Sequence, residues 1–356
     1  MRRQFASAGV KIVLTPEQAA GHQGPVIVVR ADAALDRPLI PVLIGTPKLM
    51  LTGEGPERSL PLAVHVEASG VAAAIAVLSG DTAALSGLDL NPRAPDELDV
   101  KFWDVLRKRE TPYAYAVSPV NLAKVEWRMF MGTYKGATDI VTKHVWPVPA
   151  FYVTRWLAPR GITPNMVTAV SAILMVLALW LFLRGDYALG LACGWVMIFL
   201  DTVDGKLART TLTSSKWGNT FDHGIDLVHP PFWYIAWGLG LSKVGLGWNP
   251  VTFWWVIGAI LGGYVLQRLM ELVAVKRLGL VIHIWRRMDT LFRQVTARRN
   301  PNLILLTLGV LTGRPDWGLM AVAIWTILCL VLHGLQLMQA LAARRSGPLV
   351  SWMTQG

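Results

Sequence analysis

The sequence predicts a predominantly α-helical polytopic membrane protein: six transmembrane helices, an interfacial amphipathic helix and a small N-terminal cytosolic α/β domain. Three observations predict it. Hydrophobic residues make up 53% of the 356-residue chain and mean hydropathy is +0.43, too apolar for an ordinary soluble enzyme. Four stretches, Met166–Leu183, Ala188–Leu200, Val251–Leu266 and Met320–Leu341, carry almost no charge, and each approaches the roughly 20 residues a helix needs to cross a hydrocarbon core. All 16 Trp lie at or beyond Trp103, so the apolar load belongs to the second part of the chain. A soluble oxidoreductase, a secreted disulfide scaffold and a β-barrel porin are excluded on these grounds.

Charge divides the chain at the same place. Residues 1–110 hold 12 basic and 13 acidic side chains, whereas residues 111–356 hold 22 basic and 10 acidic ones. The basic excess therefore falls in the apolar half, where it suits cytosolic loops and anionic lipid headgroups rather than nucleic acid. Cys193 and Cys329 lie inside apolar stretches with no metal or redox spacing and read as small buried hydrophobes. The N-terminus lacks the long apolar core of a secretory signal, so the first domain is expected to stay in the cytosol.

Residues 1–100 alternate short apolar runs with helical patterns. Val10–Leu14, Val26–Ala31, Leu49–Gly53 and Leu62–Glu67 read as strands, and Ala31–Ile44 and Ala68–Gly80 as helices. The Pro- and Asp-rich run Leu88–Asp99 reads as a linker. A polar helical linker is expected over 101–136, with Ser118-Pro119 at a helix start. The membrane domain is expected over 137–345 and a tail over 346–356. Residues 137–160 mix Val141, Val145, Tyr152 and Trp156 with Lys143, Arg155 and Arg160. They predict a surface-lying helix interrupted at Pro147 and Pro149. Thr163-Pro164-Asn165 starts the first span, since Pro at a helix start forfeits no hydrogen bond. Spans are expected at about 165–184, 187–208, 222–242, 250–272, 301–314 and 317–342. Basic residues alternate by loop, which places both termini on the cytoplasmic side, in the inner membrane if the source is bacterial.

Four of the ten acidic residues after position 110 cluster within 26 positions: Asp201, Asp204, Asp222 and Asp226. Carboxylates in apolar helices cost about 2.5–3.5 kcal/mol each unless paired. The i,i+3 and i,i+4 spacings put each pair on one helix face, so two helices leaning together surround one point with oxygen. Too few cations lie nearby in sequence, and all-oxygen ligation favours Mg²⁺ or Mn²⁺ over zinc. Gly205, Ala208 and Gly218 remove bulk beside the carboxylates and open a groove for an extended ligand.

Asp201-Thr-Val-Asp204-Gly205-Lys-Leu-Ala208-Arg209, then eight residues, then Gly218-Asn-Thr-Phe-Asp222-His-Gly-Ile-Asp226 resembles the defining motif of the CDP-alcohol phosphatidyltransferases. The resemblance covers about residues 137–342. It implies six membrane helices, a site open to the cytosol, two metal ions, and transfer of a phospho-alcohol group from a CDP-linked donor to an acceptor hydroxyl with release of CMP. Carried over by position, Asp201, Asp204, Asp222 and Asp226 are metal ligands and Asp226 is also the general base. Asp201, Asp204, Gly205, Ala208, Arg209 and Gly218 form the CDP site. In the arginine-rich segment His283–Pro301, Arg293, Arg298 or Arg299, together with Lys135 or Arg155, is expected to hold a phosphate on an alcohol or phospho-alcohol acceptor; a plain positive-inside loop touching lipid is the competing reading. His223 and His283 read as polar packing.

Val29–Asp36 followed by Arg-Pro-Leu-Ile resembles the middle of a sugar-phosphate nucleotidyltransferase domain, as in bifunctional enzymes that make CDP-inositol and then di-myo-inositol-phosphate phosphate. The Gly-rich nucleotide loop is absent, so a degenerate, inactive domain serving packing or homodimer contacts is expected. The functional expectation is a CDP-alcohol phosphotransferase of the inositol-phosphate-synthase-like branch. The alternatives are a CDP-diacylglycerol-dependent phospholipid synthase with glycerol phosphate or inositol phosphate as acceptor, and a divalent-cation transporter.

Overall fold

The computed structural model describes the chain except residues 11–12, 55–58, 101, 104–105, 214–215 and 355–356, and except the side chains of 20, 82, 102–103, 216–217 and 219–223. Two compact units result, Met1–Tyr134 and Lys135–Gly356.

The first unit is α/β. Helices α1 (Arg2–Ser7) and α2 (Pro16–Ala20) precede β1 (Pro25–Val29), β2 (Ala33–Leu35), α3 (Leu39–Gly45), β3 (Leu49–Thr52), β4 (Pro61–Glu67), α4 (Val71–Leu78) and β5 (Asn91–Arg93). Then come β6 (Phe102–Trp103), β7 (Lys108–Arg109), β8 (Ala114–Ala116) and α5 (Leu122–Gly132). The main sheet runs β1-β4-β3-β5, antiparallel except for the parallel β3–β5 pair. Every residue of β3 is buried. Leu49 and Leu51 join one apolar cluster with Leu39, Ile40 and Leu43 of α3, while Met50 joins another with Val71, Ala74 and Val77 of α4. That alternation is what a strand covered on both faces requires.

Several expectations are corrected in this unit. Val10, Val13 and Leu14 belong to no strand, and Lys11 and Ile12 of that run lie outside the described residues. The helix expected from Ala31 begins only at Leu39, because Ala33–Leu35 pairs with Ala114–Ala116 as β2–β8. The linker expected at 88–99 contributes β5 to the sheet. The helical linker expected at 101–136 carries three short strands before α5. Runs of two or three residues have no readable period, and their partners lie far off in sequence.

The second unit is helical: α6 (Ile140–His144), α7 (Pro147–Leu157), α8 (Pro164–Arg184), α9 (Tyr187–Thr211), α10 (Lys216–Gly240), α11 (Pro250–Leu278), α12 (Arg287–Phe292), α13 (Arg299–Leu311) and α14 (Pro315–Arg344). Thr163 caps α8 by accepting from Met166 N, with Pro164 at the first helical position, as the sequence requires. Among the described residues four helices, α8, α9, α11 and α14, are long and apolar enough to cross a membrane. The six-span expectation meets a physical limit at α13. Its 13 residues rise about 20 Å, short of a hydrocarbon core of about 30 Å. In the expected surface helix, the break falls at 145–146 and Pro147 opens α7 rather than interrupting it. Val145, Val148, Tyr152 and Trp156 form an exposed apolar stripe there.

The core of this unit gathers Phe182, Met197, Trp233, Trp237, Ile257, Leu303 and Leu319 from six helices. Trp237 Nε1 donates to Pro315 O at 2.9 Å. Helices α13 and α14 meet at Gly309 and Gly318, where a Cβ on Gly309 would stand 2.6 Å from Gly318 Cα. Only residues without a side chain permit that approach. Cys329 is buried and Cys193 partly so, both as free thiols. The expected tail is tied down: Ser351 Oγ donates to Ile284 O at 2.6 Å and Trp352 Nε1 to Thr290 Oγ1 at 3.0 Å.

Candidate active site

Helix α9 carries Asp201 and Asp204, and α10 carries Asp226. Three side chains from two neighbouring helices hold them in place. Ser171 Oγ on α8 donates to Met197 O of α9 at 3.1 Å, and Thr168 Oγ1 donates to Asp204 Oδ2 at 2.5 Å. From α13, Arg299 reaches both remaining carboxylates: Nη1 donates to Asp226 Oδ1 and Nη2 to Asp201 Oδ2. Asp201 and Asp226 are thereby brought together, beside Asp204 on the same helix face as Asp201. Asp204 is only 3% exposed, whereas the Asp226 side chain is 40% exposed and open to a reactant.

Helix α10 is adapted around Asp226 by Pro230 and Pro231. Neither proline has an N–H to return to the carbonyl four residues back, which releases Asp226 O and Leu227 O. Tyr264 of α11 fills one vacancy by donating its hydroxyl to Leu227 O at 2.9 Å. The carboxylate that the sequence marks as general base thus sits on a helix turn whose backbone is braced from a neighbouring helix.

The donor set suits a hard divalent cation. Asp204 Oδ1 is buried with no hydrogen-bond partner among the described residues, an arrangement that costs about 1–3 kcal/mol or more for an ionised group unless something takes the lone pairs. Asp201 and Asp226 add further carboxylate oxygens. The Asp222 and His223 side chains lie outside the described residues. The Arg209 guanidinium folds over Gly205, where a Cβ would come within 3.0 Å of Nη2. Gly205, Ala208 and Arg209 thus share one stretch of α9 just beyond the aspartates, and Gly218 follows at the start of α10.

The arginine-rich segment is ordered by partners that the sequence does not reveal. Arg298 donates to Glu271 of α11, and Arg268 donates to the same carboxylate at 3.2 Å. His283 Nε2 lies 3.1 Å from Glu271 Oε1, and the ligand-type atoms of Glu271, His283 and His333 fall within 4.8 Å of one another. Two guanidinium groups already more than neutralise the single carboxylate, so the cluster is a partly buried ion-pair network that fixes the start of α13. Burial pushes the His283 imidazole down to about 3, which makes it the neutral packing residue expected. Burial and the nearby Arg298 charge lower Arg293 to about 9. Lys135 opens the second unit, and Arg155 stands exposed on α7. Arg299 is the correction that matters most. The sequence suggested too few cations for the aspartates and considered Arg299 for the acceptor, yet it joins two of the four.

Residues 161–298 match the family model for CDP-alcohol phosphatidyltransferase. Over this segment the chain is similar to the CDP-alcohol phosphatidyltransferases. The matched segment contains Asp201, Asp204 and Asp226 and ends one residue before Arg299. The chain is 34% identical over 116 residues to archaetidylinositol phosphate synthase of Pyrococcus horikoshii, covering 33% of this chain and 60% of that one. It is 27% identical over 145 residues to cholinephosphotransferase 1 of Gallus gallus, covering 38% and 41%. It is 26% identical over 212 residues to the bifunctional IPC transferase and DIPP synthase of Rubrobacter xylanophilus, covering 59% and 45%. The chain thus spans three fifths or less of these relatives' lengths.

Proposed function

We propose that the protein is a CDP-alcohol phosphotransferase that moves a phospho-alcohol group from a CDP-linked donor to an acceptor hydroxyl and releases CMP. The observation that carries this reading is the convergence of Asp201, Asp204 and Asp226 from two helices inside the matched segment. Asp201, Asp204 and Asp222, with Asp226, would hold two Mg²⁺ or Mn²⁺ ions. When bound, such ions neutralise the pyrophosphate and the departing CMP. Asp226, the more exposed carboxylate, takes the proton from the acceptor hydroxyl. Gly205, Ala208 and Gly218 leave room for the CDP group, and Arg209 meets its phosphates as a planar fork.

Arg293 and Arg298 are suited to a phosphate on the acceptor. Arg293 Nη1 is buried with no hydrogen-bond partner among the described residues, and an anion beside it would offset the cost of burying that charge. Arg298, already paired to Glu271, adds positive potential. Lys135 and Arg155 would extend the same basic surface. This favours a phospho-alcohol acceptor and the inositol-phosphate-synthase-like branch, in keeping with the names of the Pyrococcus and Rubrobacter relatives. A CDP-diacylglycerol donor is the second reading. It is supported by Met166, Val170, Ile173 and Trp180 exposed along α8, an apolar face suited to lipid chains.

The same reading includes further membrane crossings at α10 and α13, the short α13 crossing where the bilayer is locally thinned, α7 lying in the headgroup layer, a site and both termini facing the cytoplasm, and an inactive N-terminal unit used for packing or dimer contacts. Mass spectrometry of products made by the purified protein from a panel of CDP-linked donors and acceptors tests it. Metal-dependent CMP and a matching phospho-alcohol product are expected. Divalent-cation flux without nucleotide turnover would instead establish a transporter.

A further inference from the structure

Arg299 opens α13 and connects residues that the sequence keeps 98 and 73 positions away. One nitrogen of its guanidinium goes to Asp201 Oδ2 and the other to Asp226 Oδ1, and its side chain is 19% exposed. Those oxygens belong to the donor set that a divalent cation would use. A guanidinium and a dication cannot share them, because like charges at such separation repel strongly in a low-dielectric site. The residues on either side are fixed elsewhere. Arg298 is bound to Glu271, and Asn300 Nδ2 donates to Asp139 Oδ1 at 2.7 Å and to Thr142 Oγ1 at 3.1 Å. The side chains on both sides of Arg299 thus anchor the start of α13 independently of it.

We propose that Arg299 is a resident cation of the carboxylate site: it holds Asp201 and Asp226 together in the metal-free protein and yields its place when a divalent ion binds. The inference rests on the metal reading of the site given above. Arg299 does two things in this arrangement. It offsets the repulsion between two carboxylates brought together by packing, which lets the helices assemble before metal arrives. It also lowers the apparent metal affinity, since only the fraction of molecules with the guanidinium withdrawn can bind. Once withdrawn, its two parallel N–H groups suit a phosphate oxygen of the bound substrate. Binding of metal is thereby linked to presentation of a phosphate-binding group, from a residue outside the matched segment.

The test is Mn²⁺ titration of the purified full-length protein without nucleotide, with free Mn²⁺ read by electron paramagnetic resonance. Arg299→Gln is expected to bind Mn²⁺ about tenfold more tightly or better, to melt at a lower temperature without metal, and to gain more from added Mn²⁺ than the natural chain does. Arg299→Lys keeps the charge and should stay near the natural affinity. If Arg299→Gln fails to fold, the natural protein supplies the second measurement: phenylglyoxal modification of Arg299, read by peptide mass spectrometry, should rise on adding Mn²⁺. Saturable Mn²⁺ binding with unchanged affinity in Arg299→Gln, or with unchanged reactivity of Arg299, overturns the exchange and leaves the metal site standing. No saturable Mn²⁺ binding by any of the proteins overturns both.

Discussion

Thr168 on α8 donates to one oxygen of Asp204 on α9, while the other oxygen of that carboxylate has no partner among the described residues. The hydroxyl fixes the carboxylate's rotation and leaves Oδ1 buried and available to a ligand. Thr168→Val preserves shape and removes the donor. It should cost about 1–3 kcal/mol of stability and weaken Mn²⁺ binding, while Thr168→Ser retains both. Thermal unfolding and metal titration of the two variants check this, and equal behaviour of Val and Ser would remove Thr168 from the site's support.

Asp226→Asn should abolish turnover, by a factor on the order of 10²–10⁴ for loss of a general base, while metal-dependent CDP binding largely survives. CMP release and equilibrium CDP binding separate the two effects. Residual turnover combined with lost binding would contradict the base assignment.

Glu271 holds Arg298, Arg268 and His283 together at the entry to α13. Glu271→Gln leaves partly buried guanidinium groups without their counter-charge. The loss, discounted for residual solvent access, should be about 2 kcal/mol. Denaturant midpoints give the stability. Hydrogen exchange across residues 286–300 should quicken locally, and a uniform change along the chain would argue against a local anchor.

In the N-terminal unit, burial pushes the Asp36 carboxyl up to about 6, opposed by the Lys108 and Arg128 charges and reinforced by Glu110. A carboxyl that holds its proton more tightly when folded favours the native state at low pH. Its contribution is therefore lost as pH rises from about 4 through about 6, on the order of 3 kcal/mol for a shift of this size. Asp36→Asn, which keeps the oxygen that accepts from Arg37 N, should flatten this dependence and raise stability at pH 7. Denaturant titration of the full chain, followed by hydrogen exchange within Met1–Tyr134, checks the direction.

The exposed stripe Val148, Tyr152 and Trp156 on α7 should lie at the boundary of headgroups and acyl chains. A fluorophore at Tyr152→Cys, on a cysteine-free background, should be quenched by brominated lipid. One at Arg155→Cys should be quenched less. Equal weak quenching at both would place the helix in water.

The sequence by itself determined the four long apolar helices, the helix start at Thr163-Pro164-Asn165, the strands expected at Val26–Ala31, Leu49–Gly53 and Leu62–Glu67 to within two residues, and the pairing of Asp201 and Asp204 on one helix face near Asp226. Each rests on local physics: hydrophobic length, capping chemistry, alternation over several residues, and i,i+3 or i,i+4 geometry on one helix face. Only the tertiary structure decided which cation joins Asp201 to Asp226, which oxygen of Asp204 is left over, and what holds Arg298. Those partners lie 27 to 98 residues apart, and no local pattern specifies which of many arginines arrives. The same holds for β2 and β8, three residues each and paired across the length of the N-terminal unit. Such short runs carry no period, so their identity as strands comes from the neighbour against which they pack.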